Sequence, residues 1–185
     1  MNISGTCDLA PIDEQEAMLK ELLPDAKTVG ILYCSAEPNS AYQAKKFEEA
    51  LDKDGIKYKE YTAADSNEIQ SVVTSAVDDC DAIYIPTDNT AASCTEAINN
   101  VAQPAGVPIV CGEEGIMAGC GVATLSIDYY ELGKTTGAMA AKILTGEANV
   151  SEMPIEYYQN PVKKYDAARC EALGITVPAD YVAIG

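Results

Sequence analysis

Three short polar stretches hold most of the residues in this chain that could receive a ligand: Ser35 to Ser40, Pro86 to Thr90 and Gly112 to Gly115. Ser35, Asn39 and Ser40 supply hydroxyl and amide groups where a helix is expected to begin, and the free backbone N–H groups of such a start favour a carboxylate. Thr87, Asp88, Asn89 and Thr90 repeat the arrangement with an added acid. Glu113 and Glu114 can accept hydrogen bonds from an ammonium group. None of the three stretches contains Lys or Arg. A ligand with both an amine and a carboxylate suits this chemistry, whereas a phosphate or dicarboxylate normally calls for arginine. Taken singly, Asn39, Ser40 and Thr90 also suit helix capping, and Asp88 suits a turn.

Catalysis has little to work with. The 185 residues include no histidine, which removes the commonest general base and any Ser-His or Cys-His pair. Gly112 to Gly115 matches neither G-x-G-x-x-G nor G-x-x-x-x-G-K-[ST]. A Mg²⁺ site of the phosphoryl-accepting kind wants two acids after the first strand, where this chain has Cys34 and Ser35. The seven cysteines (Cys7, Cys34, Cys80, Cys94, Cys111, Cys120 and Cys170) form no C-x-x-C, and their odd number argues against a complete disulfide framework. They read as small buried thiols. The expectation is a binding protein rather than an enzyme, with no metal and no cofactor.

Near-continuous apolar runs predict parallel strands covered on both faces at Thr28 to Tyr33, Lys57 to Tyr61, Asp81 to Ile85 and Val107 to Cys111. Helical periodicity separates them. Ile69, Val72, Val73, Ala76 and Val77 share one helix face, as do Phe47, Ala50 and Leu51 within Ser40 to Asp54. A further helix spans Pro11 to Leu23. Asp65 with Glu68, and Asp128 with Glu131, have capping-box spacing before helices, the second running to about Gly146. This alternation gives an α/β, doubly wound parallel sheet with helices on both faces. In such a sheet the strand carboxyl ends share one edge, so the three polar stretches should meet there. After Cys111 the rhythm loosens through Gly115, Gly119 and Gly121 to a strand Val122 to Ile127, and a strand follows at Ile155 to Tyr158. The tail from Asn160, with Pro161, Gly174 and Pro178, is expected to wrap over the surface.

Twelve basic residues against 29 acidic ones leave a net charge of −17. No basic cluster exceeds Lys45-Lys46 or Lys163-Lys164, so neither nucleic acid nor an anionic membrane is expected as a partner. No apolar run reaches membrane-span length, and the first residues lack the basic and apolar regions of a signal peptide. The length fits one domain with a real core.

Val29-Gly30-Ile31-Leu32-Tyr33 with Asn39-Ser40, then Ala82-Ile83-Tyr84-Ile85-Pro86-Thr87-Asp88-Asn89-Thr90, Gly112-Glu113-Glu114-Gly115 and Asp128-Tyr129-Tyr130-Glu131-Leu132-Gly133 together resemble the ABC-transporter substrate-binding protein family. Its characterised members bind aromatic amino acids such as tryptophan. The similarity covers nearly the whole chain, and IPTDNT, GEEG and DYYELG in that order are specific. The resemblance implies the type I periplasmic-binding-protein fold, in which two α/β lobes joined by three crossovers close on a ligand. Residues 1–122 then correspond to the C-terminal ligand-binding lobe, with Asn2 to Asp8 as the first crossover. Residues 123–148 match a strand and helix of the N-terminal lobe, and residues 149–185 a return segment packing on the C-terminal lobe. A family member has another lobe before the segment matching Asn2, so the resemblance implies a fragment.

The strand Val122 to Ile127 and the helix face of Leu132, Thr136, Met139 and Ile143 would then lack family partners. They are expected to add locally as a fifth strand and helix, in the flavodoxin-like order 2-1-3-4-5, or to pair with a second chain as a homodimer. The implied function is substrate binding for an extracytoplasmic importer with an ABC permease as partner and an aromatic amino acid as ligand. The candidate ligand residues are Ser35, Asn39, Ser40, Thr87, Asp88, Asn89, Thr90, Glu113, Glu114 and Asp128, although helix capping alone would account for Asp128. A ligand-sensing domain of a regulator or receptor, and a flavodoxin-like enzyme using Mg²⁺ or flavin, stand as alternatives.

Overall fold

The computed structural model describes residues 2–184. In chain order the elements are β1 (Thr6–Cys7), α1 (Ile12–Leu22), β2 (Thr28–Cys34), α2 (Pro38–Asp54), β3 (Lys57–Ala63), α3 (Ile69–Asp79), β4 (Ala82–Ile85), α4 (Asn89–Ser93), α5 (Thr95–Ala105), β5 (Ile109–Cys111), α6 (Glu114–Cys120), β6 (Ala123–Ser126), α7 (Tyr129–Leu144), β7 (Glu156–Tyr157), β8 (Val162–Asp166), α8 (Ala167–Ala172) and β9 (Val182–Ile184). They fall into two compact units, Pro11–Ser126 with Val162–Gly185, and Met1–Ala10 with Ile127–Pro161.

The larger unit is built on a sheet in the order β3-β2-β4-β5-β6-β8-β9. Counted from β2 as the first, the five parallel strands run 2-1-3-4-5, so the expected fifth strand does pack locally, beside β5, whereas the helix expected with it, α7, belongs to the smaller unit. The central strands are apolar on both sides because both sides are covered. From Val29 to Cys34 and throughout β4, β5 and β6 every residue is buried. On one face lies a core of Leu32, Ile83, Ile85 and Ile109 with Val73 of α3, Ile98 of α5, and Ile116 and Met117 of α6. On the other, Phe47 of α2 stacks on Tyr84 of β4, ring centroids 3.7 Å apart and planes 2° from parallel. β3 reads weakly in the sequence because it is an edge strand with most of its side chains exposed. Its lysines suit an edge that must not pair with another chain.

Two expectations need correction. The tail does not wrap the surface: Val162–Asp166 pairs antiparallel to β6, and β9 lies parallel to β8, extending the sheet. Lys163 and Lys164 hid this strand, since each is held by an acid rather than by apolar burial. Lys163 pairs with Glu21 at 3.0 Å and Asp180 at 2.9 Å, and Lys164 pairs with Glu114. The glycines after Cys111 do not mark an irregular stretch either, because Gly115 and Gly119 lie inside α6. Gly119 has no room for a Cβ against the Thr95 side chain of α5, which identifies close helix packing as its role.

Both capping boxes form only in part. Asp65 accepts from the Asn67 backbone N–H and Glu68 reaches back to Ala64 N–H, while α3 begins without a side-chain cap. In the smaller unit β1 and β7 pair in parallel, and Thr136 of α7 meets Thr6 at 2.6 Å between hydroxyl oxygens. Leu132 and Met139 are buried, while Ile143 at 37 % and Leu144 at 87 % are exposed. Among the described residues no helix is long and apolar enough to cross a membrane.

Candidate functional site

The first two polar stretches are knitted together at the carboxyl edge of the larger sheet. The Thr87 carbonyl accepts from Asn39 Nδ2 at 3.0 Å, Ser40 Oγ at 3.2 Å and Gln43 Nε2 at 3.4 Å. Gln43 Oε1 in turn accepts from Thr87 N–H at 3.3 Å. The first turn of α2 therefore fixes the loop after β4. The third stretch comes against the same loop, because a Cβ on Gly112 would stand 2.7 Å from the Thr87 nitrogen and 2.8 Å from the Pro86 carbonyl carbon. Only glycine permits so close a backbone approach.

Several acids named from the sequence are already occupied. Asp88 is 1 % exposed; one carboxylate oxygen accepts from Cys34 N–H at 2.8 Å and the other from Ala91 N–H at 2.7 Å. It joins the end of β2 to the start of α4. Glu113 caps α6, accepting from the backbone N–H groups of Gly115 and Ile116. Glu114 is paired with Lys164 of β8, a cation that no inspection of the three loops would reveal. Ser35 is exposed, with its hydroxyl on the Ala63 carbonyl at 3.3 Å. Asn39 and Asn89 are exposed, and Thr87 and Thr90 are half-buried. Asp128 belongs to the smaller unit and caps α7 through Tyr130 and Glu131 N–H at 2.9 and 3.1 Å.

Besides Gln43, two further residues at this edge were not singled out from the sequence. Glu37 accepts from the backbone N–H and side chains of both Asn89 and Thr90, at 2.8 to 3.0 Å. Burial alone would raise its pKa, but these four donors outweigh it and hold the carboxyl down at about 2. The clue was its place before Pro38, at the turn that enters α2. Gln15 of α1 is fully buried; its amide donates to Gly112 O at 3.1 Å and Leu125 O at 3.2 Å and accepts from Tyr84 Oη at 2.6 Å. It ties the ends of β5 and β6 together.

The edge thus presents hydroxyl, amide and backbone groups over a frame of satisfied carboxylates. A separate open groove of about 490 Å³ lies at the opposite, amino edge, lined by Leu23, Ala26, Asp81 and Ile175 among others. Among the described residues no group of three or more Cys, Asp or Glu side chains could hold a metal ion.

Residues 1–183 match the family described as ABC transporter substrate binding protein. The tyrosine-binding protein of Clostridioides difficile is 32 % identical over 154 residues, covering 83 % of this chain and 44 % of its own. The ABC domain from Streptococcus pneumonia, solved with L-Trp, superposes with a TM-score of 0.88 at 32 % identity, over 96 % of this chain and 60 % of its own. A substrate binding protein with adhesive properties from Clostridium difficile, in a ligand-free open structure, gives a TM-score of 0.79 at 34 % identity, over 98 % and 63 %. The chain therefore spans about half to two-thirds of the length of these relatives. With the family match extending over almost every residue and these likenesses in sequence and fold, the chain belongs to the ABC transporter substrate-binding proteins, a family of binders rather than enzymes.

Proposed function

We propose that the larger unit is a ligand-binding lobe for an amino acid, most simply an aromatic one, and that it serves an importer outside the cytoplasmic membrane with an ABC permease as partner. The observation that carries this is the junction of three loops at one sheet edge, fixed by Asn39, Ser40 and Gln43 on Thr87 and by the contact of Gly112 with the same loop. Ligands of doubly wound sheets sit at the carboxyl edge. Relatives of similar sequence are a tyrosine-binding protein and a domain in complex with L-Trp, which supports an aromatic ligand. In this reading Ser35, Asn39, Thr87, Asn89 and Thr90 offer the contacting groups. Asp88 and Glu113 shape the loops, and Glu114 meets an ammonium only in competition with Lys164. The separation of Ile127–Pro161 from the larger unit supports reading the helix within residues 123–148 as part of a second lobe, although the strand Ala123–Ser126 belongs to the larger unit.

Amide chemical-shift mapping tests this directly, because it detects binding even in the millimolar range. L-Tryptophan, L-tyrosine or L-phenylalanine should shift the amides of residues 35–40, 87–90 and 112–115. Shifts confined to the groove around Leu23 and Ile175 would relocate the site. Failure of all three amino acids to shift any of these amides at millimolar concentration would overturn the aromatic assignment.

A further inference from the structure

Glu16 has no part in the ligand edge, yet it is the acid whose surroundings are most at odds with its charge. It lies on α1, 4 % exposed, and its Oε1 finds no hydrogen-bond partner. Asp54, the last residue of α2, lies beside its carboxyl group. Asp54 is itself held by Lys20 at 2.7 Å. The other charged groups at this seam are Asp13 of α1 and Lys53 of α2, 3.6 Å apart, and β6, which α1 also covers, has no titratable side chain. Two exposed lysines therefore face three carboxyl groups, of which Glu16 alone is buried.

We propose that Glu16 is a proton-dependent latch between α1 and α2. Neutral, it donates to Asp54 and closes the seam; ionised, it sets a second buried negative charge beside Asp54 and loosens it. Burial, and then the Asp54 charge, push its pKa from an ordinary 4.5 up to about 7, so the change falls near neutrality. A carboxyl group whose folded pKa is raised holds its proton longer in the folded chain than in the unfolded one. Its contribution to stability is therefore lost as pH rises from about 4.5 through about 7. The neighbouring residue Gln15 holds Gly112 and Leu125, so the latch bears on the helix that frames the carboxyl edge. The inference does not depend on which ligand binds.

Thermal melts of the chain and of Glu16→Gln, recorded from about pH 5 to 8.5 at constant salt, test it. Gln keeps the donor without the charge, so the variant should melt above the parent at pH 8 and lose that advantage as pH falls to 5. Glu48, whose pKa is also raised by burial and by Glu60, is common to both proteins and cancels in the difference. A difference in melting temperature that is the same at every pH overturns the proposal. Should the variant fail to fold, carboxyl ¹³C titration of Glu16 in the unaltered chain decides the matter: a midpoint near 7 supports the latch, and one below about 5 overturns it.

Discussion

Glu37 and Asp88 place their carboxylates on the same helix start: Glu37 receives the N–H groups of Asn89 and Thr90, and Asp88 receives that of Ala91 while also holding Cys34 of the neighbouring strand. The amino terminus of α4 is therefore filled from within the protein. Asp88 differs from Glu37 in depth, and replacing it should cost more. Asp88→Asn keeps one acceptor but turns an amide group against the other backbone N–H, so a loss of about 2–4 kcal/mol is expected. Glu37→Gln, nearer the surface, should cost about 1 kcal/mol. Urea denaturation of both variants measures the contrast, and equal losses would contradict the difference in burial.

Acid should unfold the chain partly through Glu37. Its folded pKa, about 2, lies below an ordinary 4.5, so its stabilisation is complete above about pH 4.5 and disappears as pH falls toward 2. Melting curves between about pH 2 and 6 should be less steeply pH-dependent for Glu37→Gln than for the parent. The sign is opposite to that of Glu16, whose contribution is lost on the alkaline side.

Gly112→Ala should disturb the junction of loops from the backbone side. The new methyl would meet the Pro86–Thr87 peptide at 2.7 to 2.8 Å, and neither backbone can yield as a side-chain tip would. A loss of about 1–3 kcal/mol is expected, with the largest amide-shift changes at residues 85–90. Shift changes restricted to residues 110–114 would show that the loop after β4 is not fixed by this contact.

Glu113 and Glu114, adjacent and alike in the sequence, should separate on substitution. Glu113→Gln weakens a helix cap and should cost about 1 kcal/mol. Glu114→Gln breaks an ion pair whose side chains are 26 % and 41 % exposed, and should leave stability within about 1 kcal/mol. Chemical denaturation of the two variants distinguishes the roles.

The sheet was legible because β2, β4 and β5 are apolar on both faces, and a buried parallel strand announces itself by that continuity. The convergence of Asn39, Ser40 and Thr87 followed from topology alone. What stayed hidden were relations set by tertiary partners. Val162–Asp166 has two adjacent lysines and gains its strand character from pairing with β6. Glu114 looked free because its cation arrives from a strand fifty residues further along the chain. Glu37 and Gln15 carry ordinary side chains with no motif around them. Their importance comes from which backbone groups happen to lie opposite.

The tail strand also sets an order of events during synthesis. Arg169 of α8 donates to the Met117, Ala118 and Gly119 carbonyls at the end of α6, and Lys164 holds Glu114 at its beginning. Both are translated only after the whole Ile127–Pro161 segment has been made. On the ribosome, the strands β2 to β5 can assemble early, but α6 has neither of its clamps and β6 has one bare side until β8 emerges. The third loop of the carboxyl edge thus lacks part of its native support until β8 and α8 are made, and a nascent chain stalled before Val162 would present it unfinished to chaperones and proteases.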